Sequence, residues 1–244
     1  MINKSAFSDF LEKCYLNKTI ESFILKVENK KLTCDIKSGT ALLGSIEYDK
    51  FDCEDCNIGV YNPDVLIKNI SVLNNDTEII LKKKKDGINL AYIEFIDTKG
   101  IEVKYPTQDL DVFDIVEKKK AKIQEYDVVV NLNNELIESF LKPKSCINSS
   151  KIAFFQKGDE LKGTFGYSSN TVDAITIPFP ALKIDDIGVL LFNSDVLKEV
   201  FSTNNKRFET ATLEISTRGI MRVFFKTSNG SSEYFLVKLQ DEID

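Results

Sequence analysis

The chain has 244 residues, 43% of them hydrophobic and 17 of them Phe, with a formal net charge of −6. That length and apolar content fill one large domain or two ordinary ones and exclude disorder throughout. The complete absence of histidine excludes Ser–His–Asp and Cys–His nucleophile systems, whose general base is missing, and with them His-ligated metal catalysis.

Neither a G-x-x-x-x-G-K-[ST] phosphate loop nor a G-x-G-x-x-G fingerprint occurs in the sequence. Carboxylate pairs such as Asp109/Asp111 and Asp185/Asp186 read as solvated turns among 38 acidic residues. The chain therefore does not read as an enzyme. The N-terminus, MINKSAFSDFLEKC, mixes charges into every turn and so does not resemble a signal peptide. No apolar run approaches the ~20 residues of a membrane-spanning helix, which predicts a soluble cytoplasmic protein with no membrane partner.

In chain order, residues 5–16 (SAFSDFLEKCYL) place Phe7, Phe10, Leu11 and Cys14 at i, i+3, i+4 and i+7, one apolar helical stripe. Ser5 or Ser8 would cap it. Three β-rich runs follow, TIESFILKV, KLTCDI and ALLGSIEY, with a hairpin turn predicted at Glu28-Asn29-Lys30-Lys31. Ile58–Tyr61 reads as a short strand. Asn62 followed by Pro63 is a helix start, with Leu66, Ile70 and Leu73 as its stripe. DTEIIL, INLAYIEFI and GIEVKY are the next strands, the first two joined at Lys85-Asp86-Gly87.

Residues 106–124, from Pro106 to a lysine cluster, keep neither period and read as a connecting segment between domains 1–105 and 125–244. Leu110, Val112, Phe113 and Ile115 are too apolar for a bare tether, so they either pack on the body of the protein or line a docking site. The second half starts with the strand EYDVVVNL and a helix capped by Asn133 or Asn134, carrying Leu136, Ile137, Phe140 and Leu141, which Pro143 would bend or stop. KIAFFQ, LKGTFGY and TVDAITIPF are strands, the last ended by Pro178 and Pro180. A helix capped by Asn193 or Ser194 carries Val196, Leu197, Val200 and Phe201. ATLEIS, IMRVFFKT and EYFLVKL close the chain.

The two helix starts are one phrase used twice: IGVYNPDVL at 58–66 and IGVLLFNSDVL at 187–197. Asn62, Asp64, Val65 and Leu66 match Asn193, Asp195, Val196 and Leu197, and Asn74-Asn75 matches Asn204-Asn205. A repeat spanning half a chain is a domain duplication rather than a solenoid, whose period runs about 20–50 residues. Each half has two short helices against more strands than they can cover on both faces, so the fold class is α+β: two tandem similar domains, each with two helices packed on antiparallel sheets.

The five cysteines, 14, 34, 53, 56 and 146, read as reduced thiols. Cys53-Glu54-Asp55-Cys56 has the spacing of half a zinc site, but two further ligands are needed and no histidine is present. It reads as a loop with two thiols, and neither metal nor other cofactor is expected.

Length, duplication, helix placement and chain ends together resemble the PCNA-type DNA sliding clamps, the processivity factors of DNA polymerases. The likeness is nearest to the clamps of T4-like tailed phages. It is carried by SAFSDFLEKCYLNKTIESFILKVENKKLTCDI, by VYNPDVLIKNISVLNNDTEIIL and by RGIMRVFFKTSNGSSEYFLVKLQDEID, which resemble that family's first helix and hairpin, second-helix segment, and final hairpin with acidic tail. The resemblance spans the whole chain, but through patterns rather than one diagnostic peptide. It implies a ring-forming DNA-clamp fold: a homotrimer whose helices line a central hole, loaded by an ATP-dependent clamp loader and tethering a DNA polymerase. The rich Lys, Asn and Ile usage fits an AT-rich genome such as a phage's, which would place the protein in the host cytoplasm.

Net −6 is the wrong sign for a surface DNA binder. A ring resolves this if cations gather on the helices, where Lys13, Lys68 and Lys198 lie opposite the apolar stripes and Lys18, Lys142, Lys144, Lys206 and Arg207 lie near helix ends. These would touch phosphates of double-stranded DNA without reading bases. Lys82–Lys85 and Lys118–Lys122 read as solubilising clusters. The resemblance also implies a hydrophobic pocket for a partner's peptide, matching Val112 and Phe113 in the connecting segment and Phe235, Leu236, Val237 and Leu239 near the end. It implies ring contacts through the edge strands GIEVKY (100–105) and TVDAITI (171–177). Two other readings stay open: a processivity factor that works as a monomer or dimer, and a structural or scaffolding β-rich viral protein.

Overall fold

The computed structural model describes residues 3–84, 90–113, 116, 125–167, 173–205 and 208–240. The chain forms two compact units, one of Met1–Lys37, Gly44–Lys118 and Asn229–Ser231, the other of Ser38–Leu43, Lys119–Ser228 and Ser232–Asp244.

The first unit runs α1 (Lys4–Tyr15), β1 (Phe23–Glu28), β2 (Lys31–Ser38), β3 (Leu42–Tyr48), β4 (Cys56–Val60), α2 (Pro63–Ser71), β5 (Glu78–Lys83), β6 (Leu90–Ile96), β7 (Glu102–Pro106) and a 3-10 turn at Leu110–Val112. Its strands lie in the orders β3-β2-β1-β4 and β5-β6-β7. Strict alternation explains the first sheet. Phe23, Leu25 and Val27, then Leu32, Cys34 and Ile36, are buried at every second position, and each such side chain contributes about 1.5–3 kcal/mol. The β1–β2 hairpin closes at Asn29 and Lys30, whose φ values of 52° and 60° suit the primed turn that a right-twisted hairpin needs. The predicted stripe of α1 is buried in full, and Phe7 meets Phe51 and Phe95 at ring-centroid distances of 5.9 and 6.4 Å. Its cap differs from expectation: Asn3, not Ser5 or Ser8, accepts from the Ala6 N–H. The helix thus starts one residue before Ser5. In α2 the expected cap, Pro63 at the first turn, and the buried Leu66, Ile70 and Leu73 all hold.

The second unit runs β8 (Val128–Leu132), α3 (Asn134–Cys146), β9 (Lys151–Lys157), β10 (Glu160–Phe165), β11 (Ile175–Phe179), β12 (Ala181–Ile184), β13 (Val189–Asn193), α4 (Ser194–Asn204), β14 (Thr210–Ser216), β15 (Ile220–Thr227) and β16 (Gly230–Val237). Strand orders are β12-β8-β14-β15-β16 and β11-β10-β9-β13. Phenylalanines fill its core: Phe140 lies 5.2 Å from Phe165 and 4.9 Å from Phe201, and Phe154 lies 5.2 Å from Phe179. Prolines behave differently from expectation. Pro143 sits inside α3, because only the last turn follows it and few hydrogen bonds are forgone. Pro178 lies within β11, opposite Lys162, because β11 is an edge strand on which an absent N–H goes unmissed.

The start of the connecting segment is docked rather than loose. Thr107 N–H donates to the Ala91 carbonyl at 3.2 Å and Gln108 N–H to the Gly59 carbonyl at 3.0 Å. A Cβ on Gly59 would fall 2.4 Å from the Gln108 oxygen and 2.8 Å from Phe113 Cε2, so no other residue fits that contact. The turn at Lys85-Asp86-Gly87 and most of 114–124, Ile115 and Lys118–Lys122 among them, lie outside the described residues.

Candidate functional site

Each unit pairs its two helices, α1 with α2 and α3 with α4. Pairing buries the apolar stripes and leaves one polar face per helix outward, and these faces are the candidate DNA surface. Asn62 and Asn193, the repeated caps, start α2 and α4. Asn62 Oδ1 accepts from Val65 N–H at 3.3 Å, and Asn193 Oδ1 from Asp195 and Val196 N–H, both at 3.0 Å.

The predicted DNA-facing lysines divide into two groups. Lys18, Lys68, Lys142 and Lys198 present their side chains to solvent at least in part. Lys13 and Lys144 do not. Their side chains are 8% and 6% exposed, held to Asp9 at 2.8 Å and to Asp195 at 2.7 Å, and Lys144 also donates to the Ser149 carbonyl at 2.8 Å. This corrects the expectation that they face outward: each folds back along its helix pair because a carboxylate waits there. Lys206 and Arg207 lie outside the described residues.

The exposed lysines are also partly neutralised. Lys68 pairs with Asp64 one turn earlier at 2.6 Å, which with its ammonium holds the Asp64 carboxyl below the usual range, and Lys198 lies 3.5 Å from Glu199. Lys18 and Lys142 form no ion pair among the described residues, although the Lys18 charge also helps hold the Asp64 carboxyl down. Taken together, the four helices carry six lysines against seven carboxylates. The expected gathering of positive charge on the helices is therefore not what the helices alone display.

Sequence reasoning missed a groove at the junction of α1 and α2, lined by Tyr15, Lys18, Glu21, Ser22 and residues 61–64. Burial, then the nearby Asp64 carboxylate, pushes the Tyr15 phenol above its ordinary value. Tyr61 stands 67% exposed at its rim. Another missed feature is Lys4, which is buried and donates to the Leu73 carbonyl at 2.6 Å, tying the start of α1 to the chain two residues past the end of α2. No spacing in the sequence signals that contact, which spans 69 residues.

The predicted peptide-pocket residues also divide. Val112 is 58% exposed, whereas Phe113 is half-buried against Gly59. Along β16 the alternation puts Tyr234 and Leu236 into the core at 0% and 1% exposure. Leu236 is thus a core residue and not a pocket lining, since neighbours on a strand point to opposite faces. Phe235 and Val237 lie on the opposite face, Val237 being 42% exposed. Leu239 is half-buried, its N–H on the Leu191 carbonyl at 2.8 Å. Of the predicted ring-contact strands, β7 and β11 are both sheet edges, with 171–172 outside the described residues.

Among the described residues no three Cys, Asp or Glu side chains converge as a metal site, and no helix is long and apolar enough to cross a membrane. No family model and no curated protein matches the sequence. In fold the chain is similar to the crystal structure of Proliferating Cellular Nuclear Antigen from Entamoeba histolytica. The TM-score is 0.76 at 16% identity, covering 98% of this chain and 96% of that one. The chain has the two-domain α+β fold of a PCNA-type clamp, four helices on antiparallel sheets.

Proposed function

We propose that this chain is a DNA sliding clamp: a homotrimeric ring that encircles duplex DNA and tethers the replicative DNA polymerase. The observation that carries the reading is the likeness in fold to a PCNA along nearly the whole of both chains, joined to a sequence that repeats its second-helix phrase in each half. A ring of three such chains has six similar helix pairs, and duplication follows because each pair meets the same cylinder of DNA.

The chemistry asked of it is modest. A clamp makes no covalent bond. It converts re-encounter of polymerase and template into an intramolecular event at high effective concentration. The helix lysines supply sequence-independent phosphate contact, and their partial neutralisation by Asp64 and Glu199 suits a ring that must glide rather than grip. Lys18, Lys68, Lys142 and Lys198 are the residues we assign to DNA. Val112 on the connecting segment and Phe235, Val237 and Leu239 at the chain's end are assigned to partner peptides. An ATP-dependent loader opens the ring, because a closed ring cannot thread onto internal DNA. The phage-like stretches at the helices and the final hairpin support a phage clamp working in a host cytoplasm.

Light-scattering mass after size exclusion tests the reading. Three chains of 27.7 kDa give a species of about 83 kDa across a range of concentrations, and that species should lengthen the products of a polymerase on a primed circle. A steady single-chain mass, even when concentrated, would remove the ring and leave a monomeric processivity factor or a structural protein.

A further inference from the structure

The four cysteines at 14, 34, 53 and 56 form two neighbouring thiol pairs with opposite surroundings, and the clamp reading uses neither. Cys14 and Cys34 face each other across the core at 0% and 1% exposure, and burial, together with the Cys34 contact, pushes the Cys14 thiol well up. No reagent reaches that pair and the Cys14 thiol stays protonated, so the pair is inert. Cys53 and Cys56 lie on a surface loop and at the first residue of β4, respectively, three residues before the Gly59 that receives Gln108 and Phe113.

The loop that carries Cys53 is held in place before any chemistry occurs. Phe51 N–H donates to the Lys30 carbonyl at 2.8 Å, Cys53 N–H to the Phe51 carbonyl at 2.8 Å, and Asn29 N–H to Asp55 Oδ1 at 2.9 Å. Cys56 is fixed by strand pairing opposite Val27. Cys53 is partly exposed, whereas Cys56 is 3% exposed. Lys83 Nζ bonds Glu54 Oε2 at 2.7 Å, and from there its positive charge acts on both thiols. We propose that Cys53 and Cys56 are an oxidisable dithiol, which small disulfides of the glutathione class convert to an intramolecular disulfide while the buried pair stays reduced.

The asymmetry assigns the order of steps. The thiol of Cys56, hydrogen-bonded to Cys53, holds Cys53 below the ordinary thiol value, and the charge of Lys83 adds to this. The same contact, with burial, holds Cys56 protonated. The Cys53 thiolate attacks one sulfur of the external disulfide, forming a mixed disulfide and expelling one thiolate. Cys56 then gives its proton to solvent and attacks Cys53 Sγ, expelling the second thiolate. Two protein thiols are oxidised, one small disulfide is reduced to two thiols, and nothing else is consumed. This proposal is independent of the clamp reading and holds whether or not the chain forms a ring.

The test uses the full chain, equilibrated in glutathione buffers of rising oxidised fraction, quenched with acid and alkylated. Trypsin releases residues 51–68, which hold Cys53 and Cys56 and no other cysteine. The expected result is that this peptide becomes about 2 Da lighter and escapes alkylation, reversibly on adding dithiol, while Cys14 and Cys34 stay alkylatable after unfolding. C56S should trap one glutathione on Cys53, and C53S should leave Cys56 reduced. A 51–68 peptide still fully alkylatable in the most oxidising buffer overturns the proposal, as does trapping on Cys56 rather than Cys53. Thermal unfolding of each variant confirms that the folded chain was probed.

Discussion

Helices α2 and α4 start from one repeated phrase, yet the residue before each cap meets opposite fates. Tyr61 is 67% exposed, whereas Phe192 is fully buried with its ring 6.2 Å from that of Phe154. The cause is strand length. In the second unit β13 stays paired with β9 through Phe192 and Asn193, so Phe192 remains on the core face of a sheet. In the first unit β4 pairs with β1 only to Val60, and Tyr61 falls one residue past the last pair. The repeated residues specify where a helix begins. They do not specify what the aromatic beside it is for. Phe192→Ala should therefore cost about 3–5 kcal/mol and Tyr61→Ala no more than about 0.5, read by urea unfolding. Equal losses would break the comparison.

The repeated Asn-Asn pair diverges in the same way. Asn204 is 3% exposed and central to a network: its Nδ2 donates to the Val200 carbonyl at 2.8 Å and to Tyr234 Oη at 3.2 Å, and its Oδ1 accepts from Ser232 Oγ at 2.7 Å. Its counterpart Asn74 makes a surface turn, accepting from Asp76 N–H at 3.0 Å and donating to Thr98 Oγ1 at 2.8 Å. Asn204→Ala strands buried hydroxyls and should cost about 2–3 kcal/mol, against about 0.5–1 for Asn74→Ala. Calorimetry of both variants, each against the parent, sharpens the contrast. A mild effect at Asn204 would mean that the network contributes no net stability.

These cases show what was legible in the sequence. Helix stripes, the caps at Asn62, Asn133 and Asn193, and the alternating strands follow from local periodicity, and the structure places them as read, except that Leu141 and Val196 at the stripe edges are only half-buried. The site was less legible, because a lysine's outward direction depends on which carboxylate the fold brings near. Nothing local says that Lys144 will meet Asp195, 51 residues on, or that Lys4 will reach the Leu73 carbonyl. Leu236 could have been sorted from Val237 by parity along the strand, but choosing the parity requires knowing which face of β16 is buried. Tyr234 at 0% and Leu236 at 1% exposure answer that.

The caps provide a smaller contrast. Asn193 Oδ1 accepts two N–H groups at 3.0 Å, and Asn62 Oδ1 accepts one at 3.3 Å while Pro63 removes an orphan donor altogether. Asn193→Ala should then cost about 1–2 kcal/mol and Asn62→Ala about 0.5–1, measured by thermal melts at matched pH. The reverse ranking would show that the proline, rather than the cap, starts α2.

The smallest effect concerns the hairpin turns, each gripped by an aspartate from outside the hairpin. Asp55 Oδ1 holds the Asn29 N–H at 2.9 Å in the first unit, and Asp127 Oδ2 holds the Thr217 N–H at 2.6 Å in the second. That backbone donor keeps the Asp127 carboxyl below its usual range. A carboxyl with a depressed folded value stabilises the fold above its unfolded value of about 3.9 and loses the contribution as pH falls through the folded one. The group is largely solvated, so screening holds the gain below about 1 kcal/mol. Asp127→Asn should lower stability at pH 7 by that small amount and flatten the fall in stability below about pH 4, since the amide cannot titrate. Urea midpoints of parent and variant at pH 7 and pH 3 decide it. If the gap between the two proteins is the same at both pH values, the carboxylate's charge has no part in holding the turn, and the contact works through its hydrogen bond alone.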